Sequence, residues 1–529
     1  MAAMQEATPA TLKAWLHDGG EIALLDVREH GLYGESHLFY AVPLPYSRLE
    51  LEIARLVPRR DTRVVVYDSG TEGVAARAAA RLATLGFADV HILAGGTAGW
   101  AAAGYRLFAG VNVPSKAFGE MVEHVYGTPH ISAAELAERQ ARGDRLVVLD
   151  GRPVDEYRKM TIPGSICCPN GELALRIGAL APDPATTIVV NCAGRTRSII
   201  GAQTLRHLGV PNPVLALENG TQGWYLADLS LDHGADRLYP PPPGELADAR
   251  GRAARHAARA GVGMVDAVRL AAWRTDPARS TFLCDVRTPE EFAAGSLPGA
   301  QSTPGGQLLQ ATDQYVGVRG ARLVVFDDDG VRAPMVAAWL RQMGWEAHVL
   351  EEGLAAALPA PEATAQHPAP PARLAPLDVP SLAALIARGK VTLLDLRPSM
   401  AYRAGHLRGA AWAIRPRLDR VRPPEGALVL IAAEADVAEL AAHDLAERGI
   451  TATHLHIGAP AAWRAAGLAV EATPEVPADA DSIDFLFFVH DRHSGNKAAA
   501  RQYLAWELGL LDQLDAEERG AWRFLSPPG

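Results

Sequence analysis

Cysteine is scarce: the chain has four in 529 residues, Cys167, Cys168, Cys192 and Cys284. That is too few for a disulfide framework, and their spacing is not that of zinc ligands. No metal site is expected, and a reducing cytoplasm is the expected home, where a thiol is free to react. Long apolar runs are missing too. No stretch approaches the roughly 18 uncharged apolar residues of a membrane-spanning helix. The opening "MAAMQEATPATLKAWLHDGG" has no basic start followed by an apolar run, so no export signal is expected. Basic blocks are also absent, and the net charge is -10. Neither nucleic acid nor a membrane is therefore expected as a partner. What is present is a globular composition, 48% apolar and 21% charged, over a length that calls for several domains.

One pattern occurs four times: an apolar run, then Asp-x-Arg. It reads "IALLDVREHGLY" at Asp26, "LVVLDGRPVDEY" at Asp150, "TFLCDVRTPEEF" at Asp285 and "VTLLDLRPSMAY" at Asp395. An aromatic follows at a fixed offset (Tyr33, Tyr157, Phe292, Tyr402), and then a turn at Gly164, Gly299 and Gly409 in the last three copies. A second apolar run closes on Asp68, Cys192, Asp327 or Ala432. An Ala-rich helical stretch and a third run come next, and Gly99-Trp100, Gly223-Trp224 and Trp463 mark a shared ending that the third copy lacks. Coincidence at so many offsets identifies an internal repeat of domain size. Short buried strands alternating with helices predict an α/β domain with a mostly parallel central sheet flanked by helices.

The expected domains are residues 1–112, 125–236, 258–357 and 375–472, followed by a tail over 480–529 containing a helix. Residues 238–261 join copies two and three, stiff at a proline run and helical afterwards, and the Pro/Ala-rich residues 358–377 join copies three and four. In the tail, Ser494 or Asn496 is positioned to cap a helix through "KAAARQYLAWELGLL".

Cys192 lies where a strand hands over to a helix, in "VVNCAGRTRSII". Sites in parallel sheets form at such strand ends. A thiolate is the nucleophilic form of cysteine, and a helix N-terminus favours it. Successive N–H groups of a tight loop can converge on one anion, and Gly194 lets this backbone bend without a Cβ clash. Arg195 and Arg197 would favour a charged, oxygen-rich substrate. Residues Cys192, Ala193, Gly194, Arg195, Thr196, Arg197 and Ser198 thus read as an activated cysteine over an anion cradle. The plainer reading is a small residue ending a strand beside exposed arginines.

Taken together, Asp-x-Arg, the aromatic, the "IPG" turn, the strand ending in Cys and the closing "NGTQGW" resemble the rhodanese domain family of sulfurtransferases. The resemblance runs in four copies to about residue 472. It implies that Cys192 accepts a sulfane sulfur as a persulfide from a small anionic donor such as thiosulfate. A thiol, cyanide or a protein acceptor would then take the sulfur, and no cofactor is needed. Copies one, three and four, with Asp68, Asp327 and Ala432, resemble the family's inactive domains. In two-domain relatives an inactive copy packs on the active one, so copy one is expected on copy two, and copy three on copy four. A non-turnover protein that senses persulfides or delivers sulfur is the alternative. A cysteine phosphatase fits less well: its pattern is Cys, five residues, then Arg, and here the sixth residue is Ser198.

Asp150 and Arg152 occur in equivalent form in the Cys-less copies, which assigns them a structural role near the site. Cys167 and Cys168 sit where other copies have ordinary small residues, and Cys284 lies within a strand. His490, Asp491, Arg492 and His493 precede the tail helix, either as part of its cap or folded over the Cys192 mouth.

Overall fold

The computed structural model describes residues 5–360, 374–489 and 496–526. Four five-stranded sheets account for the four copies, and each has the strand order 1-5-4-2-3 in its own chain order. The strand pairs within them are parallel. In copy two the strands run in space as His130–Ile131, Val214–Leu217, Thr187–Asn191, Leu146–Asp150 and Ile166–Cys167. The fourth copy adds a two-stranded antiparallel pair, His406–Leu407 with Val470–Glu471.

The central strand of copy two, Thr187–Asn191, is buried at every residue, as expected of a parallel strand covered on both faces. Ile188 and Val190 pack into one apolar cluster, and Val189 packs into another with Trp224. The period of two thus splits one continuous apolar run between two layers. The helix Thr196–Leu208 follows and ends on Gly209 at φ +76°, a left-handed C-terminal stop suited to glycine.

The copies fall into two compact units. One holds the sheets of copies one and four, the other those of copies two and three with the tail helix Lys497–Leu508. The expected pairing of one with two and three with four is therefore corrected. Buried charge explains the observed pairing. In the first unit Arg415 of copy four donates to Glu50 Oε2 at 2.6 Å and Oε1 at 2.7 Å in copy one, and to Asp444 of its own copy. In the second, Arg332 of copy three donates to Glu172 of copy two at 2.8 Å, and Trp339 Nε1 to Thr204 Oγ1 at 2.8 Å. Val331 and Met335 of copy three also enter the apolar core of copy two. A buried charge is tolerated only with a partner, so each such pair pins two particular copies together.

Both predicted helices beyond the copies are present. The linker between copies two and three becomes helical over Ala247–Arg259. In the tail it is Asn496 that caps Lys497–Leu508, accepting from the Ala499 amide. The cluster from His490 to His493 and Ser494 lie outside the described residues, as do residues 361–373 of the last linker.

Candidate active site

The Asp-x-Arg pair forms the same bracket in every copy. In copy two Arg152 Nε donates to Asp150 Oδ1 at 2.9 Å, and Nη2 donates to Asp150 Oδ2 and to the Met160 carbonyl. Arg28 does this with Asp26 and the Ser36 carbonyl, Arg287 with Asp285 and Gly295, and Arg397 with Asp395 and Gly405. Asp150 additionally accepts from Thr161 and from Asn191, the residue before Cys192. The pair is buried and ties the end of one strand to the end of the next.

Beyond Asn191 the chain enters the loop of Cys192. The carbonyl of Cys192 accepts from Thr221 N at 2.9 Å, and that of Ala193 from Gln222 N at 3.1 Å and Gln222 Nε2 at 3.2 Å. These donors belong to the start of the helix Gly220–Leu226. A trans peptide is planar with its C=O and N–H antiparallel. Fixing these two carbonyls toward that helix turns the amides of Ala193 and Gly194 to the opposite side of the loop. Gly220 makes the approach feasible: at φ +54°, a Cβ there would lie 2.2 Å from the Cys192 carbonyl oxygen. Gly96 and Gly353 stand in the same relation to the carbonyls of Asp68 and Asp327, at 2.2 and 2.4 Å.

Those other copies show what such a loop holds. Asp68 accepts from the amides of Gly70 and Ala75 at 2.7 and 3.0 Å. Asp327 accepts from Gly330 and Ala333 at 2.9 and 2.7 Å. The carboxyl group that replaces the thiol itself fills the cradle. In copy two the side chain at that place is the Cys192 thiol, 2% exposed, and Ser198 Oγ donates to its sulfur at 3.0 Å.

The two loop arginines are both committed to carboxylates. Arg195 donates to Glu120 Oε1 at 2.8 Å and Oε2 at 3.0 Å and also to Glu123, all on the helix Val113–Tyr126. Burial pushes the Glu120 carboxyl up to about 7 against the pull of Arg195, with Glu507 and Glu123 adding to the shift. Arg197 forms a two-pronged bond to Glu156 at 2.8 Å on each arm. Burial opposes its charge, but Glu156, then Cys192 and Asp150, outweigh it and raise its pKa further. Arg332 of copy three, five residues after Asp327, clasps Glu291 in the same way. The clasp recurs where there is no thiol, so it braces the loop.

The tail helix supplies contacts with no local signal in the sequence. Thr196 Oγ1 donates to Glu507 Oε1 at 2.8 Å. A Cβ on Gly194 would meet Glu507 Oε2 at 3.0 Å, Gln222 Nε2 at 3.3 Å and Tyr503 Cε1 at 3.4 Å. Lys116 lies over the rings of Tyr503 and Trp506, 5.0 and 4.6 Å from their centroids, and anchors the helix. Glu156 stands six residues after Asp150, as Glu291 does after Asp285, and that offset was a usable signal.

The remaining thiols are poorly suited to reaction. Cys167 is buried and its pKa is pushed up to about 12, by burial first and by Asp150 second. Burial, then Glu172, raises Cys168 well above the usual thiol range, and burial takes Cys284 to about 12. All four cysteines are free. Among the described residues no cluster of His, Cys, Asp and Glu is arranged to hold a metal ion, and no helix is long and apolar enough to cross a membrane.

The sequence pattern of the family described as "Rhodanese-like domain" matches residues 8–103, 132–227 and 266–358. A crystal structure of thiosulfate sulfurtransferase from Pseudomonas aeruginosa superposes with a TM-score of 0.89 at 43% identity, covering 99% of this chain and 100% of that one. The putative thiosulfate sulfurtransferase SseB of Mycobacterium tuberculosis is 26% identical over 224 residues, 35% of this chain and 78% of SseB. The HTH-type transcriptional regulator Rv0324 of the same organism is 36% identical over 115 residues, 21% of this chain, and the chain spans 49% of that regulator.

Proposed function

The chain belongs to the rhodanese-like domain family, and on that premise we propose that it is a sulfurtransferase that carries a sulfane sulfur as a persulfide on Cys192. What supports this most directly is the hold of the helix Gly220–Leu226 on the Cys192 and Ala193 carbonyls, which turns loop amides toward one side of the loop. The likeness to thiosulfate sulfurtransferases adds a donor class.

In this reading the Cys192 thiolate attacks the outer sulfur of thiosulfate. The donor's S–S bond breaks, sulfite leaves with the electron pair, and a Cys192 persulfide anion remains. The loop amides from Ala193 to Arg197 and the Ser198 hydroxyl stabilise that anion. Cyanide or a thiolate, free or on a protein, then attacks the outer sulfur, and the Cys192 thiolate departs from it. The donor's sulfonate is met by the loop's N–H groups, since Arg195 and Arg197 are taken up by Glu120, Glu123 and Glu156. Asp150 and Arg152 hold the strand ends. The Asp68 and Asp327 cradles are filled from within and take no sulfur, and Ala432 offers no nucleophile.

The test is turnover with thiosulfate and cyanide, followed as thiocyanate. Cys192→Ser should abolish it, while Cys167→Ser and Cys168→Ser should retain most of it. Thiocyanate formation that survives Cys192→Ser overturns the assignment.

A further inference from the structure

The tail helix Lys497–Leu508 brings a carboxylate to the Cys192 loop that nothing above accounts for. Glu507 is 1% exposed. One oxygen accepts from Thr196, the first residue of the helix after the loop. The other, Oε2, is buried and accepts no hydrogen bond among the described residues. It sits 3.0 Å from where a side chain on Gly194 would begin. A buried polar atom without a partner is rare and calls for a reason.

The surroundings sharpen the point. Arg195 already carries two carboxylates, Glu120 and Glu123, and Glu507 adds to the negative field on Glu120. Lys116, on the same helix as Glu120 and Glu123, lies over Tyr503 and Trp506. Three carboxylates, Glu120, Glu123 and Glu507, thus act on Arg195, in a loop whose task, in the reading above, is to hold an anion.

We propose that Glu507 is a positioning and specificity-determining residue of the Cys192 site: through Thr196 it fixes the loop, and through its unpartnered oxygen it weakens the loop's hold on anions. The donor can then bind, and anionic sulfite can leave, without the cradle becoming a trap. This inference rests on Cys192 being the reactive thiol of the loop.

The experiment compares alkylation of Cys192 by iodoacetate, an anion, and by neutral iodoacetamide, read by mass spectrometry of the Cys192 peptide in the full-length protein. Glu507→Gln keeps an oxygen for Thr196 and removes the charge. It should raise the iodoacetate-to-iodoacetamide rate ratio by at least about fivefold, the effect of one unit charge about 17 Å away at an effective dielectric constant of about 20. Glu507→Asp should leave the ratio near that of the parent. In thiosulfate turnover, Glu507→Gln should lower KM and make sulfite a stronger product inhibitor, a change that a purely structural residue would not produce. An unchanged ratio in a Glu507→Gln protein that melts like the parent overturns the inference. Cys192 resisting both reagents overturns it as well. A shifted ratio without any thiosulfate turnover would leave Glu507 as inferred and remove the sulfurtransferase reading.

Discussion

Replacing Arg332 with methionine removes one guanidinium and leaves several carboxylates behind. Arg332 is 1% exposed and donates to Glu172 at 2.8 Å, to Glu291 at 2.7 and 3.0 Å, to Asp328 at 3.1 Å and to Asp329 at 2.6 Å. The cost is not the sum of five bonds. Glu291 and Asp328 are partly exposed and can turn to water. Asp329 keeps the amides of Val331 and residue 332, and Glu172 keeps Arg176. What remains is a buried Glu172–Asp329 pair short of one positive charge, a loss of about 3–5 kcal/mol for a broken buried ion pair. For a unit of this size that lowers the melting temperature by on the order of 10 °C. Differential scanning calorimetry would read it as a shift in the transition of copies two and three. Glu172→Gln combined with Arg332→Met should cost less than the two single changes added together. A shift below about 2 °C for Arg332→Met, or strict additivity in the double variant, would refute the claim that this contact joins copy three to copy two.

Gly220→Ala should cut turnover by about a hundredfold, because its Cβ would push the Cys192 carbonyl out of place. Gly209→Ala, at φ +76° with only the end of Arg252 nearby, should cost about 1 kcal/mol of stability and little activity; equal loss of turnover in both variants would contradict the loop argument. Burial, then Arg259, lowers the pKa of His256 to about 4, and burial, then His256, lowers that of His207 to about 3. The unfolded chain takes these protons near pH 6.5 and the folded one does not. Their contribution is therefore complete above 6.5 and is lost as the pH falls toward 4, by about 3 kcal/mol for His256. His256→Phe, stacked on His207 as the imidazole is at 4.6 Å, should flatten the acid limb of urea unfolding for this unit; an unchanged slope between pH 7 and 5 would contradict it.

The repeats were legible because their signals are local. Asp150 and Arg152 are two residues apart, and a pair that close brackets its strand end in the same way wherever it occurs. The place of Cys192 was legible for the same reason: an apolar strand, a glycine loop and a helix start are read along the chain. The partners of Arg195 and Arg197 were not legible because they are distant. Glu120 and Glu156 are separated from them by 75 and 41 residues. Glu507 is 311 residues from Thr196, and no periodicity announces such a contact. The pairing of copies likewise depends on long-range contacts, Arg415 with Glu50 and Arg332 with Glu172 among them, which pattern reading along the chain does not connect. The Asp residues at the thiol position carried more information than the mark of an inactive copy. With their loop amides they display what the cradle is shaped to hold.

Mass spectrometry of the protein after treatment with thiosulfate tests the central claim most directly. The account predicts the added mass of one sulfur atom on the Cys192 peptide, lost again on treatment with cyanide, and none on Cys167, Cys168 or Cys284. An unmodified Cys192, or the extra sulfur on another cysteine, would contradict it.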